Sequence, residues 1–222
     1  MTSYKPVLVG AAFGGVAGLT IGLLLKKPAA QIIPSGPPGP LPEPEPVEPP
    51  KVFDCPLEGS KVALIGDSFA EGLVPHMGSL ARACGTLYIG DGRSGTSVMQ
   101  WQYDSWIGPI LHQKPTVVLI SLAGNDFFKN PTDLKAAINK LVDRIRGTGA
   151  RALWIEPNRL PMNEVSGVRQ LWKDKMGNDW FPSWDLPYRK AEDNIHLFPS
   201  GYKAWAGEIW PWMSTKTHET IA

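Results

Sequence analysis

KVALIGDSFAEG, residues 61–72, decides the fold. Val62 to Ile65 form a short unbroken apolar run, as in a strand covered on both faces of a sheet. The run stops at Gly66-Asp67-Ser68, and from Phe69 to Ala83 the pattern suits a helix. Outward from it, TLYIG (86–90), TVVLISL (116–122) and RALWIE (151–156) are runs of the same kind. Between the last two, Leu134, Ala137, Ile138, Leu141, Val142 and Ile145 share one helical face over residues 131–146. Pro131 stands early in that helix, and Gly147 and Gly149 stop it. A further helix begins near Ser97, and a last one runs from Gly201 toward Trp212, where Pro211 disturbs its end. Alternating strands and helices predict an α/β fold: a three-layer sandwich with a central parallel sheet, whose sites gather at the carboxyl ends of the strands.

Three departures from core composition fall at those ends: Gly66-Asp67-Ser68, the stretch from Gly92 to Thr96, and Ala123-Gly124-Asn125-Asp126. A serine needs a base to accept its proton, and the base needs an acceptor that holds its tautomer. Of four histidines, His76 lies in the first helix, His112 in a turn before Lys114-Pro115, and His218 in a polar tail. His196 stands ahead of the last helix with Asp193 three residues upstream, a spacing that serves either catalysis or the capping of that helix. Ser68 is likewise either a helix-capping serine or a nucleophile beside outward-pointing N–H groups. Gly95, with no side chain to obstruct it, and the Asn125 amide are the other candidate donors to an oxyanion. The bland alternative makes Gly95 and Gly124 turn residues and Asn125 a loop organiser.

The chain resembles the SGNH hydrolases, also called GDSL esterases and lipases. GDSF (66–69) is similar to their first block, RSGTS (93–97) to the second, AGND (123–126) to the third and DNIHLFPSGYKAWA (193–206) to the fifth. The resemblance implies a flavodoxin-like SGNH fold, with Ser68 as nucleophile, His196 as base and Asp193 as its orienting acid. It implies an oxyanion hole from the N–H groups of Ser68 and Gly95 with the Asn125 side chain, and Asp67 and Gly124 as supporting residues that shape the loops. No cofactor or metal is implied. The chain departs from the pattern at Phe69 for leucine, at Ala123 for glycine, and at Asn194, where glycine often separates acid and base.

Residues 6–25 contain no charged side chain, and as a helix would reach about 30 Å, the thickness of a bilayer core. An uncleaved transmembrane anchor over residues 1–27 is expected; a cleaved signal peptide or a buried helix are the alternatives. Gly10, Gly14, Gly18 and Gly22 would lie in one stripe suited to helix pairing, hence to a homo-oligomer. Lys5 on one side and Lys26 and Lys27 on the other nearly balance, so an extracytoplasmic catalytic domain is expected more from the architecture than from charge. Residues 28–56 read as a proline-rich extended spacer, 57–214 as the hydrolase-like domain and 215–222 as a polar tail.

A balance of 22 Lys and Arg against 21 Asp and Glu, with no basic block, argues against nucleic acid as a partner. Cys55 and Cys84 lack metal-ligand spacing and permit one disulfide without requiring it. Trp101, Trp106, Trp172, Trp180, Trp184, Trp210 and Trp212 fall in segments that border a cleft or the surface, unless they are core residues. Residues 158–190 read as a long irregular insert and the source of specificity. A tethered esterase acting on O-acyl, above all O-acetyl, esters of cell-wall glycan or another polysaccharide is the leading expectation. A lipase or general carboxylesterase, an acyl transferase, and a tethered binding protein of an envelope or virion assembly are the alternatives.

Overall fold

The computed structural model describes Cys55, Leu57 and residues 59–161 and 167–218, with His218 as backbone only. The proposed anchor, its glycine stripe, most of the spacer and the end of the tail lie outside these residues. Among the described residues no helix is long and apolar enough to cross a membrane.

Four of the apolar runs form strands: β1 (Lys61–Gly66), β2 (Leu87–Gly92), β3 (Val117–Ser121) and β4 (Arg151–Ile155), and Trp180–Phe181 adds a short β5. All pair in parallel, in the order β2-β1-β3-β4-β5. The helices are α1 (Ser68–Ala83), α2 (Val98–Trp101), α3 (Asp104–Leu111), α4 (Pro131–Arg146), α5 (Val168–Met176) and α6 (Pro199–His218). Helix α1 packs against α6, and α4 against α2 and α5. Because the winding direction reverses between β1 and β3, right-handed crossovers put these two groups on opposite faces of the sheet. The reversal opens a crevice at the carboxyl ends of β1 and β3, where Gly66 and Ser121 are register partners.

Two sequence expectations need correction, and one alternative left open for the tryptophans is decided. Helix α6 does not end near Trp212 but continues through Pro211 to His218, taking in the first residues of the expected tail. Buried Trp205, Ala206, Ile209, Trp210 and Met213 hold it against the core on both sides of the proline, so packing outweighs the lost hydrogen bond. The segment 158–190 is not irregular throughout, since it contains α5, a 3₁₀ turn at Gly177–Asp179 and β5. Of the tryptophans expected near a cleft or the surface, Trp101, Trp172, Trp180 and Trp210 are buried, and Trp106, Trp184 and Trp212 are half-buried. Trp172 stacks with Trp154 and Trp180, so these rings are core material.

Cys55 and Cys84 form a disulfide, with Cα atoms 5.1 Å apart, that fastens the start of the domain to the end of α1. Leu57 is buried beside it, and its carbonyl accepts from Thr86 Oγ1 at 3.0 Å.

Candidate active site

The turn after β1 is built for close approach. Gly66 has φ +155°, and a Cβ there would lie 1.9 Å from the Ser121 carbonyl oxygen, so only glycine fits. Asp67 caps α1 by accepting the Phe69 N–H at 3.0 Å. The capping role open to Ser68 is therefore filled by its neighbour. Ser68 becomes the first helical residue, half-buried, with its hydroxyl turned to other use.

Ser68 Oγ lies 2.8 Å from His196 Nε2, across 128 residues of chain. The other ring nitrogen, Nδ1, is 2.6 Å from Asp193 Oδ2. A carboxylate only accepts, so Nδ1 carries the proton and Nε2 offers its lone pair to the serine. Asp193 Oδ1 also accepts the N–H groups of Ile195 and His196, each at 2.9 Å, so one carboxylate folds the turn and orients the ring. These bonds, first that from His196, hold the Asp193 carboxyl down at about 2. Its partners are thus in its own turn and not at the start of α6. Phe69 packs on the imidazole, with ring centroids 5.7 Å apart, and edge-on to Trp205. The aromatic ring at this departure from the family pattern forms a wall behind His196. His76 lies in α1 and His112 follows α3; the histidine hydrogen-bonded to Ser68 is His196.

The loops after β2 and β3 are tied to this turn. Arg93 N–H donates to the Gly66 carbonyl at 2.9 Å. Gly95 has φ +75°, but a Cβ there would meet nothing within 4 Å. Backbone conformation calls for glycine at 95, and the open space beside it leaves the approach to its N–H unobstructed. Asn125 Nδ2 donates to the Thr96 carbonyl at 2.8 Å, which leaves its second amide hydrogen for another acceptor. Gly124 N–H donates to Asp67 Oδ2 at 3.2 Å, joining the first loop to the third. Ala123, before it, has φ +141°, a conformation that favours glycine.

Sequence reasoning missed two residues of this frame. Thr96 Oγ1 donates to the Arg93 carbonyl at 2.8 Å and accepts from Trp101 Nε1 at 3.0 Å. Asp126 is buried, and its Oδ2 accepts the Val98 N–H at 3.1 Å. Burial pushes the Asp126 carboxyl up to about 6 and that of Asp67 to about 7, the N–H donors opposing in both cases and the charge of Asp126 adding to the rise at Asp67. The only sign in the sequence was an acid inside AGND with no assigned task.

On the rim, Arg93 pairs in bidentate fashion with Asp91, both bonds 2.7 Å, and lies 4.8 Å from the centre of the Trp106 ring. Further along, Glu156, buried at the end of β4, holds Arg169 at 2.7 Å and the Trp184 N–H at 3.3 Å. Among the described residues no group of three or more His, Cys, Asp or Glu side chains is arranged to hold a metal ion.

Neither a protein-family model nor a curated protein matches the chain. Solved structures do. An α/β hydrolase enzyme from the metagenome of Lake Arreo, Spain, is 17% identical, covering 73% of this chain and 98% of that one at a TM-score of 0.57. An acetylxylan esterase from Geobacillus stearothermophilus is 18% identical, covering 70% and 94% at 0.59. The psychrotrophic esterase EstA from Pseudoalteromonas sp. is 16% identical, covering 72% and 100% at 0.60. At these identities the likeness shows the fold alone, an α/β fold with a central parallel sheet that this chain shares with these hydrolases.

Proposed function

We propose that this chain is a serine esterase that hydrolyses O-acyl esters, O-acetyl esters of glycans above all. The reading is carried by one observation: Ser68, His196 and Asp193 form a continuous hydrogen-bonded chain at the switch point of the sheet. Ser68 Oγ attacks the ester carbonyl carbon while His196 Nε2 takes the hydroxyl proton. The charge that develops on the carbonyl oxygen is met by the N–H groups of Ser68 and Gly95 and by the second Asn125 amide hydrogen. Collapse breaks the bond to the alcohol oxygen, which leaves with the proton from His196, and the acyl group stays on Ser68. Water then attacks the acyl carbon, giving a proton to His196; the acid departs and Ser68 regains its hydrogen.

A glycan ester is favoured because the acetylxylan esterase shares the fold and because the proline-rich spacer suits a polymer held away from the bilayer. We assign residues 6–25 to a membrane anchor on their length and lack of charge. The disulfide supports an oxidising compartment for the catalytic domain. The test is the full chain in detergent with p-nitrophenyl acetate, followed by a fluorophosphonate. Hydrolysis, and stoichiometric labelling of the peptide containing Ser68, are expected. A protein that neither turns over the ester nor takes the label at Ser68 overturns the assignment.

A further inference from the structure

A cleft of about 330 Å³ lies beside the acid–base loop, lined among others by Arg159, Trp184, Leu186, Tyr188, Lys190 and Asn194. It is within the size range of small-molecule sites. Neither Ser68 nor His196 lines it; the link to the triad is Asn194, in the turn between Asp193 and His196. Asn194 has φ +57°, a conformation that asparagine accepts more readily than other residues with a side chain. Where the resembling family often has glycine, this chain keeps the backbone shape and adds a carboxamide at a residue that lines the cleft.

Which part of an ester belongs here follows from the route of the proton. In the reading proposed above, His196 hands its proton to the departing alcohol oxygen, so the alcohol leaves on the His196 side. The carbonyl oxygen faces the other way, toward the loops of Gly95 and Asn125. Through Asn194 the cleft borders the loop that carries His196, and none of the residues of the oxyanion loops lines it, so the alcohol is the part of the ester nearer to it. Its walls are apolar where Leu160, Leu186 and Trp184 line it, and Trp184 is held in place by Phe127, ring centroids 5.5 Å apart, and by Arg169. Polar groups interrupt those walls. Lys190 Nζ donates to the Arg159 carbonyl at 2.6 Å and to the Ile195 carbonyl at 3.1 Å, which uses two of its three hydrogens. Asn194 contributes a donor and an acceptor, and Arg159 pairs with Asp185 at the mouth. Apolar surface broken by fixed donors and acceptors matches a pyranose ring, which has C–H faces and a hydroxyl rim. An aliphatic alcohol would offer no partner to the Asn194 carboxamide or to the third Lys190 hydrogen.

Resting on the esterase reading, we propose that this cleft binds a sugar ring of the alcohol portion of the substrate, with Asn194 as a specificity-determining residue that ties ring recognition to the acid–base loop.

The experiment compares acetylated xylo-oligosaccharides with p-nitrophenyl acetate on the full chain and two variants, and reads the ratio of the two kcat/KM values. Asn194→Gly keeps the backbone conformation and removes the carboxamide; it is expected to lower the ratio about fivefold, the scale of one lost hydrogen bond. Leu186→Trp narrows the cleft and is expected to lower the ratio about tenfold or more, through KM, as overfilling a shaped site does. Ratios unchanged in both variants overturn the proposal, as does a wild-type protein that cleaves p-nitrophenyl acetate and leaves the acetylated oligosaccharide intact. Calorimetric titration of deacetylated xylo-oligosaccharides into Ser68→Ala protein, with and without Asn194→Gly, reads the cleft without turnover. Binding weakened by Asn194→Gly supports the subsite even where neither ester is turned over, and absence of binding overturns it even where both are.

Discussion

Asp126 Oδ2 accepts the backbone N–H of Val98 at 3.1 Å, so a buried acid on the loop after β3 holds the first turn of α2 in place. This contact fixes the far end of the loop that contains Gly95 and Thr96. It has a cost at neutral pH. The Asp126 carboxyl stands at about 6 in the folded protein against 3.8 as the reference value, so the folded state takes up the proton first as pH falls. Stability from this group therefore rises as pH drops from about 6 toward 4 and is lost on the way back up. Asp126→Asn keeps an acceptor for Val98 without the charge. Denaturant titration should find it more stable than the wild type at pH 7, with the difference closing near pH 4. A constant difference across that range would show that Asp126 is not the titrating group.

Asp193 has two tasks on two oxygens, and substitution can separate them. Asp193→Asn keeps an acceptor for the turn but can present an amide N–H to His196, favouring the wrong tautomer; turnover should fall about 10⁴-fold, as for the corresponding change in a serine protease. Asp193→Ala should also loosen the turn. Amide hydrogen exchange at Ile195 and His196 should rise in the alanine variant more than in the asparagine variant.

Asn125→Ala removes a proposed oxyanion donor together with the tie to the Thr96 carbonyl. Loss of one such donor costs about 10²–10³ in kcat. The change is expected in kcat with KM little altered. An unchanged kcat would reduce Asn125 to the brace between the second and third loops.

Ala123 holds φ +141° with a side chain attached. Strain of this kind costs on the order of 1–3 kcal/mol, so Ala123→Gly should raise thermal stability despite the greater freedom glycine brings to the unfolded chain. The Gly124 N–H bond to Asp67 is kept in that variant, and kcat with a small ester should stay within about twofold, since no donor to the oxyanion is removed. A lowered melting temperature would show that the loop is not strained at this residue.

How far the sequence could be read depended on the range of the forces involved. Helix α4 was legible to the residue, because Pro131, a clean apolar face and Gly147 all act within a few positions of one another. The four main strands were legible within two residues at each end. β5 was not: two residues, Trp180 and Phe181, show no periodicity, and their pairing with β4 comes from the buried tryptophan stack. Pro211 misled for a related reason, since a local helix breaker is overruled by burial on both sides of it. At the candidate site, the residues flagged in the sequence and those of the observed hydrogen-bond chain coincide at Ser68, His196 and Asp193. The roles of Asp126 and Thr96 as braces depend on which backbone N–H or ring N–H reaches them from another loop, and no spacing in the chain encodes that.

The Cys55–Cys84 bridge closes a loop with a sequence separation of 29 and should stabilise the fold by about 3–4 kcal/mol in the chain-entropy view. Thermal denaturation with and without reductant measures this, and an unchanged midpoint after complete reduction would remove the bridge from the account of stability.

The bridge also decides where tension enters the domain. A pull on the chain ahead of Cys55 passes through the sulfurs into the last turn of α1, and bypasses the peptide leading into β1. While the bridge is intact, β1 is shielded from being peeled off the sheet from its amino end, and with it the Gly66 turn that sets Ser68. Reduction would turn the same pull onto β1 itself, so under load the redox state of two cysteines at the entrance would govern how long the serine stays opposite its histidine.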